Sequence, residues 1–275
     1  MQERRRVVAA TTIGTAIEWY DYFLYAATAG LVFNQLMFAG FGPDAATIAA
    51  FLTMGLSFLF RPLGAFLVGH AADKYGRRIP LMVTLIAMGA STTLIGLLPT
   101  YATIGVWSPI LLIILRITQG ISAGGEWGSA VLLAVEHAPE GKRGLFGSAP
   151  QIGVPLGMLL ATGVLFAVRA SMTNEQFLAW GWRIPFFVGC LIIPVIFFLR
   201  RTLEETPAFL AMKHHPTARE VFASALANWR IVILGMMIAV LTTTTFYFVT
   251  VYTPTFGKTV LKLSTQDALL VTLLV

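Results

Sequence analysis

Cysteine is almost absent: Cys190 is the single one in 275 residues and lies in an apolar run, which excludes an intrachain disulfide and any cysteine-based metal site. Charge is sparse as well. Asp, Glu, Lys and Arg make up 12% of the chain, about half the share usual in soluble domains. Against this, 57% of residues are hydrophobic and mean hydropathy is +0.78. A soluble fold of this length has no interior large enough to hide that much apolar surface, so the chain reads as an all-α integral membrane protein. No Ser/His/Asp grouping marks a hydrolase, and His214-His215 reads as a solvated loop pair rather than a metal site. No enzymatic activity, cofactor or metal is expected. The net charge of +6 comes in short groups between apolar runs, without a basic helix, so nucleic acid is not an expected partner.

What is abundant is long apolar runs, each able to cross a hydrocarbon layer about 30 Å thick. They predict helices at 12–38, 47–73, 79–99, 109–136, 145–168, 181–200 and 229–257, with an eighth starting near 266. Arg4–Arg6 before the first run resembles a signal peptide, but the run is too long and holds two acids, which predicts an uncleaved first span. Residues 1–200 then form a six-helix bundle, 201–228 a polar linker, and 229–275 part of a second bundle. Within the linker, Thr206 with Pro207 reads as the start of a short helix. Of the 19 Lys and Arg residues, 13 fall on one side of these spans, from Arg4–Arg6 through Lys74–Arg78 to Arg230, and Arg169, Arg183, Lys258 and Lys262 on the other. The asymmetry predicts a cytoplasmic N-terminus in an inner or plasma membrane. Trp107, Trp180 and Trp182 fit an outer aromatic belt.

Small residues recur every four positions at Gly120, Gly124 and Gly128, and at Ala149, Gly153 and Gly157, which predicts two close helix contacts. Pro150 and Pro155 are expected to kink or loosen the second of these helices. The string from Gly120 to Gly125 mimics a phosphate loop but sits inside a span with no preceding strand, so nucleotide binding is not expected.

Charges inside the spans carry the chemistry. Each costs about 2.5–3.5 kcal/mol on insertion scales and needs a cavity or a partner. Glu18, Asp21, Arg61, Arg116 and Glu126 are such residues. Asp21 is expected about 15 Å into the first helix, with Glu18, Tyr22 and Tyr25 on one face and Asp21 flanking it. Arg116 and Glu126 are ten residues apart and cannot pair with each other, whereas Gln119 shares a face with Glu126. Helix clamping remains an alternative for Arg116 and Glu126.

The string G-H-A-A-D-K-Y-G-R-R at 69–78 resembles the loop signature G-x-x-x-D-[RK]-x-G-R-R of the major facilitator superfamily. The strings I-E-W-Y-D-Y (17–22), F-R-P-L-G-A (60–65), R-I-T-Q-G (116–120), G-E-W-G (125–128) and W-R-I-P-F (182–186) narrow the likeness to its metabolite:proton symporters, which include α-ketoglutarate, citrate, shikimate and proline/betaine permeases. The resemblance implies two six-helix bundles around a central site open alternately to each side. The chain reaches Leu274-Val275 inside the eighth expected span, so it would hold the N-terminal bundle plus the first one to two helices of the C-terminal one, as if shortened there.

From these readings the expected function is proton-coupled symport of a small organic acid or zwitterion. An acid held away from water suits a proton carrier, with Asp21 or Glu18 first and Glu126 next. Arg61 and Arg116 suit a carboxylate, and Gln119, Tyr22, Tyr25, Trp127, Tyr247 and Tyr252 would shape the pocket. Arg183 reads equally as an interfacial charge or an outer-vestibule substrate contact. Gly69, Asp73, Gly76, Arg77 and Arg78 would form a cytoplasmic gate. An uncoupled facilitator, or a shortened protein that binds a membrane partner without transporting, remain alternatives.

Overall fold

A computed structural model describes residues 2–76, 78–188, 194 and 217–248. The readings on Arg77, Cys190, the sixth span beyond Val188, the Thr206-Pro207 helix start, His214-His215, Tyr252 and the eighth span lie outside the described residues. Contacts divide the chain into two units, Met1–Pro216 and Thr217–Val275.

The first unit is a helical bundle. α1 spans Gln2–Thr28 and continues through one wider, π-type turn at Ala29–Phe33 into a last helical turn at Asn34–Leu36. It starts ten residues before the sequence reading placed it, so the Arg4–Arg6 segment is helical rather than a leader to the helix. α2 spans Pro43–Tyr75, α3 Arg78–Leu97, α4 Trp107–Glu136 and α5 Arg143–Ala170. α6 is a short helix at Asn174–Ala179, followed by a tight turn at Gly181–Arg183 and a new helical stretch at 184–188. α2 to α5 are long and apolar enough to cross a membrane. α1 falls below that threshold because the string I-E-W-Y-D-Y lowers its hydropathy.

Two helix pairs set the frame, α1 against α5 and α2 against α4. Both are glycine-mediated backbone contacts. A Cβ at Gly153 would strike the Thr12 carbonyl and the Ala16 nitrogen, and one at Gly157 the Ala16 carbonyl and the Tyr20 nitrogen. Across the other pair, a Cβ at Gly120 or Gly124 would run into the carbonyls of Ser57 and Arg61. Gly128, the third member of the expected stripe, would meet nothing within 4 Å; beyond Gly124 the close approach passes to Gly125, whose Cβ would strike the Val68 side chain of α2. α5 runs through Pro150 and Pro155 as one helix, packed by its small face on α1.

The bundle closes at one end around aromatic side chains. Trp182, Phe186, Phe33 and Tyr25 are fully buried in one cluster, with the Trp182 and Phe33 rings edge to face at 5.6 Å. Trp182 therefore does not join an interfacial belt, whereas Trp107 and Trp180 are exposed as such a belt requires. The Arg183 guanidinium donates from Nη1 to the Gly96 and Leu98 carbonyls, each at 2.9 Å, and so satisfies carbonyls at the end of α3 that have no partner within the helix. Tyr20 fastens the same segment to α1 through a 2.6 Å hydrogen bond from its hydroxyl to the Pro185 carbonyl.

In the second unit, α7 at Ala218–Ala227 is followed by α8 at Trp229–Tyr247. α7 begins in a capping box: Thr217 Oγ1 accepts from the Glu220 amide while the Glu220 carboxylate accepts from the Thr217 amide. The end of the expected linker is thus helical. The residues T-A-R-E at 217–220 carry the signal for it.

Candidate functional site

Glu18 and Asp21 lie three residues apart on α1, about 4.5 Å along its axis, and their side chains reach different neighbours. Asp21 is 4% exposed and lies where α1, α3 and α4 meet. Its Oδ1 accepts from the Thr92 hydroxyl of α3 at 2.6 Å, and its Oδ2 from Gln119 Nε2 of α4 at 2.8 Å. Gln119 Nε2 is also 2.9 Å from Thr92 Oγ1, and Gln119 Oε1 accepts from Arg116 Nη1 at 2.7 Å. Arg116 Nη1 stands 3.6 Å from Asp21 Oδ2, an ion pair in which Gln119 is the hydrogen-bonded bridge. The Tyr25 ring covers the guanidinium face at 3.8 Å, and the Tyr25 hydroxyl bonds with Thr53 of α2. Arg116 and Gln119 are each 2% exposed, so this network is closed to solvent within the first unit.

Opposite charges in such a low-dielectric seam compensate each other's desolvation only while both are present, and deleting one partner of a buried pair costs about 3–5 kcal/mol. The four side chains Asp21, Thr92, Gln119 and Arg116 thus form one buried hydrogen-bonded unit that ties α1 to α3 and α4.

Glu18 turns to α2. Its Oε1 is 3.6 Å from Arg61 Nη2, and the Arg61 guanidinium sits 4.6 Å over the Phe58 ring. The Glu18 side chain is 3% exposed and that of Arg61 27%. Tyr22, 8% exposed, packs edge to face on the same Phe58 ring at 5.5 Å. The predicted face of Glu18, Tyr22 and Tyr25 is therefore the one directed to α2, while Asp21 looks past it to α3 and α4.

The other sequence-predicted residues are dispersed. Glu126 is buried and accepts from the Thr84 hydroxyl of α3 at 3.1 Å, away from Arg116. Trp127 is 46% exposed on α4 and takes no part in the buried network. Arg183 is engaged at the end of α3. Tyr247 ends α8 in the second unit. In the 69–78 string, Gly76 has φ +91°, a conformation that needs glycine, and ends α2; a Cβ at Gly69 would meet nothing within 4 Å, so no close helix approach depends on it. Asp73 lies in the last turn of α2 and Arg78 opens α3, so the turn at Gly76 brings the flanking charges to one end of the bundle.

Sequence reasoning missed the hydroxyls. Thr92, Thr84 and Thr53 each bond a residue it had singled out, and the available signal was a polar side chain in the middle of an apolar run. No group of three or more potential metal ligands occurs among the described residues.

Residues 7–233 match the family described as sugar (and other) transporter. The citrate-proton symporter of Klebsiella pneumoniae is 45% identical over 268 residues, covering 98% of this chain and 60% of that protein. The shikimate transporter of Escherichia coli K12 is 44% identical over 218 residues, 79% of this chain and 50% of that one. The proline/betaine transporter of Salmonella typhimurium is 37% identical over 263 residues, 92% and 52% respectively. The chain thus spans half to three fifths of the length of these relatives. Among solved structures, the proton:xylose symporter XylE bound to 6-bromo-6-deoxy-D-glucose superposes with a TM-score of 0.74 at 19% identity, over 99% of this chain and 66% of that one, a likeness of fold.

Proposed function

Because the chain belongs to the sugar (and other) transporter family of the major facilitator superfamily, with its relatives among the metabolite:proton symporters, we propose that it serves proton-coupled symport of a small organic acid or zwitterion by alternating access. It is a multi-pass, all-α membrane protein with the N-terminal part of that fold. The observation that carries the reading is the Asp21–Arg116 pair bridged by Gln119 and Thr92, a neutralised acid sealed inside the bundle at the junction of three helices. In this reading Asp21 is the first proton carrier and Glu18 the second, with Glu126 in reserve on the α3 side. When Asp21 is protonated, Arg116 loses its counter-ion and the hydrogen bonds from Gln119 and Thr92 lose their charge assistance, so the contacts joining α1 to α3 and α4 weaken together. Relatives named for citrate, shikimate and proline/betaine support the substrate class. The basic residues near α1 and the 69–78 turn support a cytoplasmic N-terminus and a gate at that end.

The test is substrate-induced alkalinisation of a weakly buffered suspension of cells expressing the chain, with citrate, shikimate and glycine betaine offered in turn. Symport raises external pH on addition of one of them, and Asp21→Asn abolishes that rise while leaving substrate exchange measurable. Uptake without a pH change identifies an uncoupled facilitator. Uptake that stays proton-dependent in Asp21→Asn, Glu18→Gln and Glu126→Gln alike overturns the coupling assignment.

A further inference from the structure

Two arginines face α1, and the sequence gives no reason to separate them. The structure does. We propose that Arg61, and not Arg116, receives the substrate's carboxylate, sharing its guanidinium between that ligand and Glu18; this rests on the symport reading above.

Arg116 is spoken for. It is 2% exposed, Tyr25 covers its face, and Nη1 is bonded to Gln119 beside Asp21. Its Nε has no hydrogen-bond partner, but a ligand reaches it only after the helices part. Arg61 is in the opposite condition. More than a quarter of its side chain is open, against 3% for Arg116, and beside its 3.6 Å ion pair with Glu18 no side chain among the described residues bridges it to its partner as Gln119 bridges Arg116 to Asp21. A guanidinium has five N–H donors, more than one carboxylate at that distance uses. Its depth excludes the bland explanation for the exposure. Arg61 lies 18 residues from the start of α2 and 14 from its end, about 27 Å and 21 Å along the axis, so it is neither a terminal nor a snorkelling charge. A cation at that depth is not left against lipid tails, so its open part faces a polar path. Phe58 beneath the guanidinium and Glu18 beside it hold the group in one orientation while leaving donors available. Glu18 is then a positioning residue whose negative charge tempers the affinity for an anion, which lets the ligand leave again.

The experiment measures initial uptake by the full chain in proteoliposomes against citrate, shikimate and glycine betaine, together with counterflow exchange. Arg61→Gln is expected to raise KM for the transported carboxylate about ten- to a hundredfold, the factor for losing one charged hydrogen-bonded contact, with Vmax reached at high substrate. Arg61→Lys restores part of the affinity, since a point charge replaces a fork. Glu18→Gln lowers KM by removing the competing anion. Arg116→Gln lowers Vmax and coupling with little change in KM. If Arg61→Gln does not accumulate, Arg61→Lys and Glu18→Gln decide. The proposal is overturned if the Arg61 and Glu18 variants keep KM within about twofold of the parent, or if KM follows Arg116 instead. Proton-coupled uptake by the parent with unchanged Arg61 variants sinks this inference alone; a parent that carries none of the three probes overturns the symport reading with it.

Discussion

α1 meets its neighbours in two different ways. Toward α5 the contact is backbone on backbone, with Gly153 and Gly157 letting the helices touch and one hydroxyl, Thr12, bonding the Ala149 carbonyl at 3.0 Å. Toward α2, α3 and α4 it presents Glu18, Asp21, Tyr22 and Tyr25 to arginines, hydroxyls and an amide. Around Gly153 and Gly157 the first seam is backbone and small side chains among the described residues, with little room to shift. The second is held by groups whose charge changes on protonation. In the proposed symport reading one helix thus carries a fixed side and a switchable side.

The largest effect should come from breaking the fixed side. Gly157→Leu drives a branched side chain into the Ala16 carbonyl and Tyr20 amide and is expected to abolish folded protein, read as loss of the monodisperse peak in size-exclusion chromatography. Gly124→Leu should do the same between α2 and α4, whereas Gly128→Ala, with open space around it, should be silent or stabilise by up to about 1 kcal/mol. Next comes the switchable side. Arg116→Gln strands the Asp21 carboxylate and is expected to cost about 3–5 kcal/mol, seen as a lower melting temperature in detergent, with most of it restored in Arg116→Gln/Asp21→Asn. If the double variant is no more stable than the single, the pair is not the unit described. Smaller is Arg183→Gln, which removes the donors to Gly96 and Leu98 and should cost about 1–3 kcal/mol while leaving proton-coupled uptake in place. Smallest is Tyr20→Phe, worth about 1 kcal/mol through its bond to Pro185.

Hydropathy made α2 to α5 and α8 legible, and the four-residue spacing of small side chains foretold both glycine contacts. The limits came where one helix has to meet another. The face shared by Glu18, Tyr22 and Tyr25 follows from helix geometry, but that Arg61 answers Glu18 and Arg116 answers Asp21 depends on which helices adjoin, and nothing local encodes it. Thr92 is ordinary in an apolar run until Asp21 is placed beside it. Trp182 read as a belt residue because tryptophan often is; its burial follows from the docking of W-R-I-P-F against Phe33. Arg183 was ambiguous for the same reason, since its acceptors lie 85 and 87 residues upstream. The capping box at Thr217 was legible and overlooked.

That last separation has a meaning in time as well as space. At about 5–20 residues per second of synthesis, the end of α3 waits roughly 4 to 17 s for the arginine that will hold it. Until then the Gly96 and Leu98 carbonyls must find water or another donor. The same short segment delivers Trp182, Phe186 and the Pro185 carbonyl to α1. The bundle's assembly therefore has a late event written into it, in which a single stretch of chain emerging from the ribosome latches two earlier helices, α1 and α3, at once.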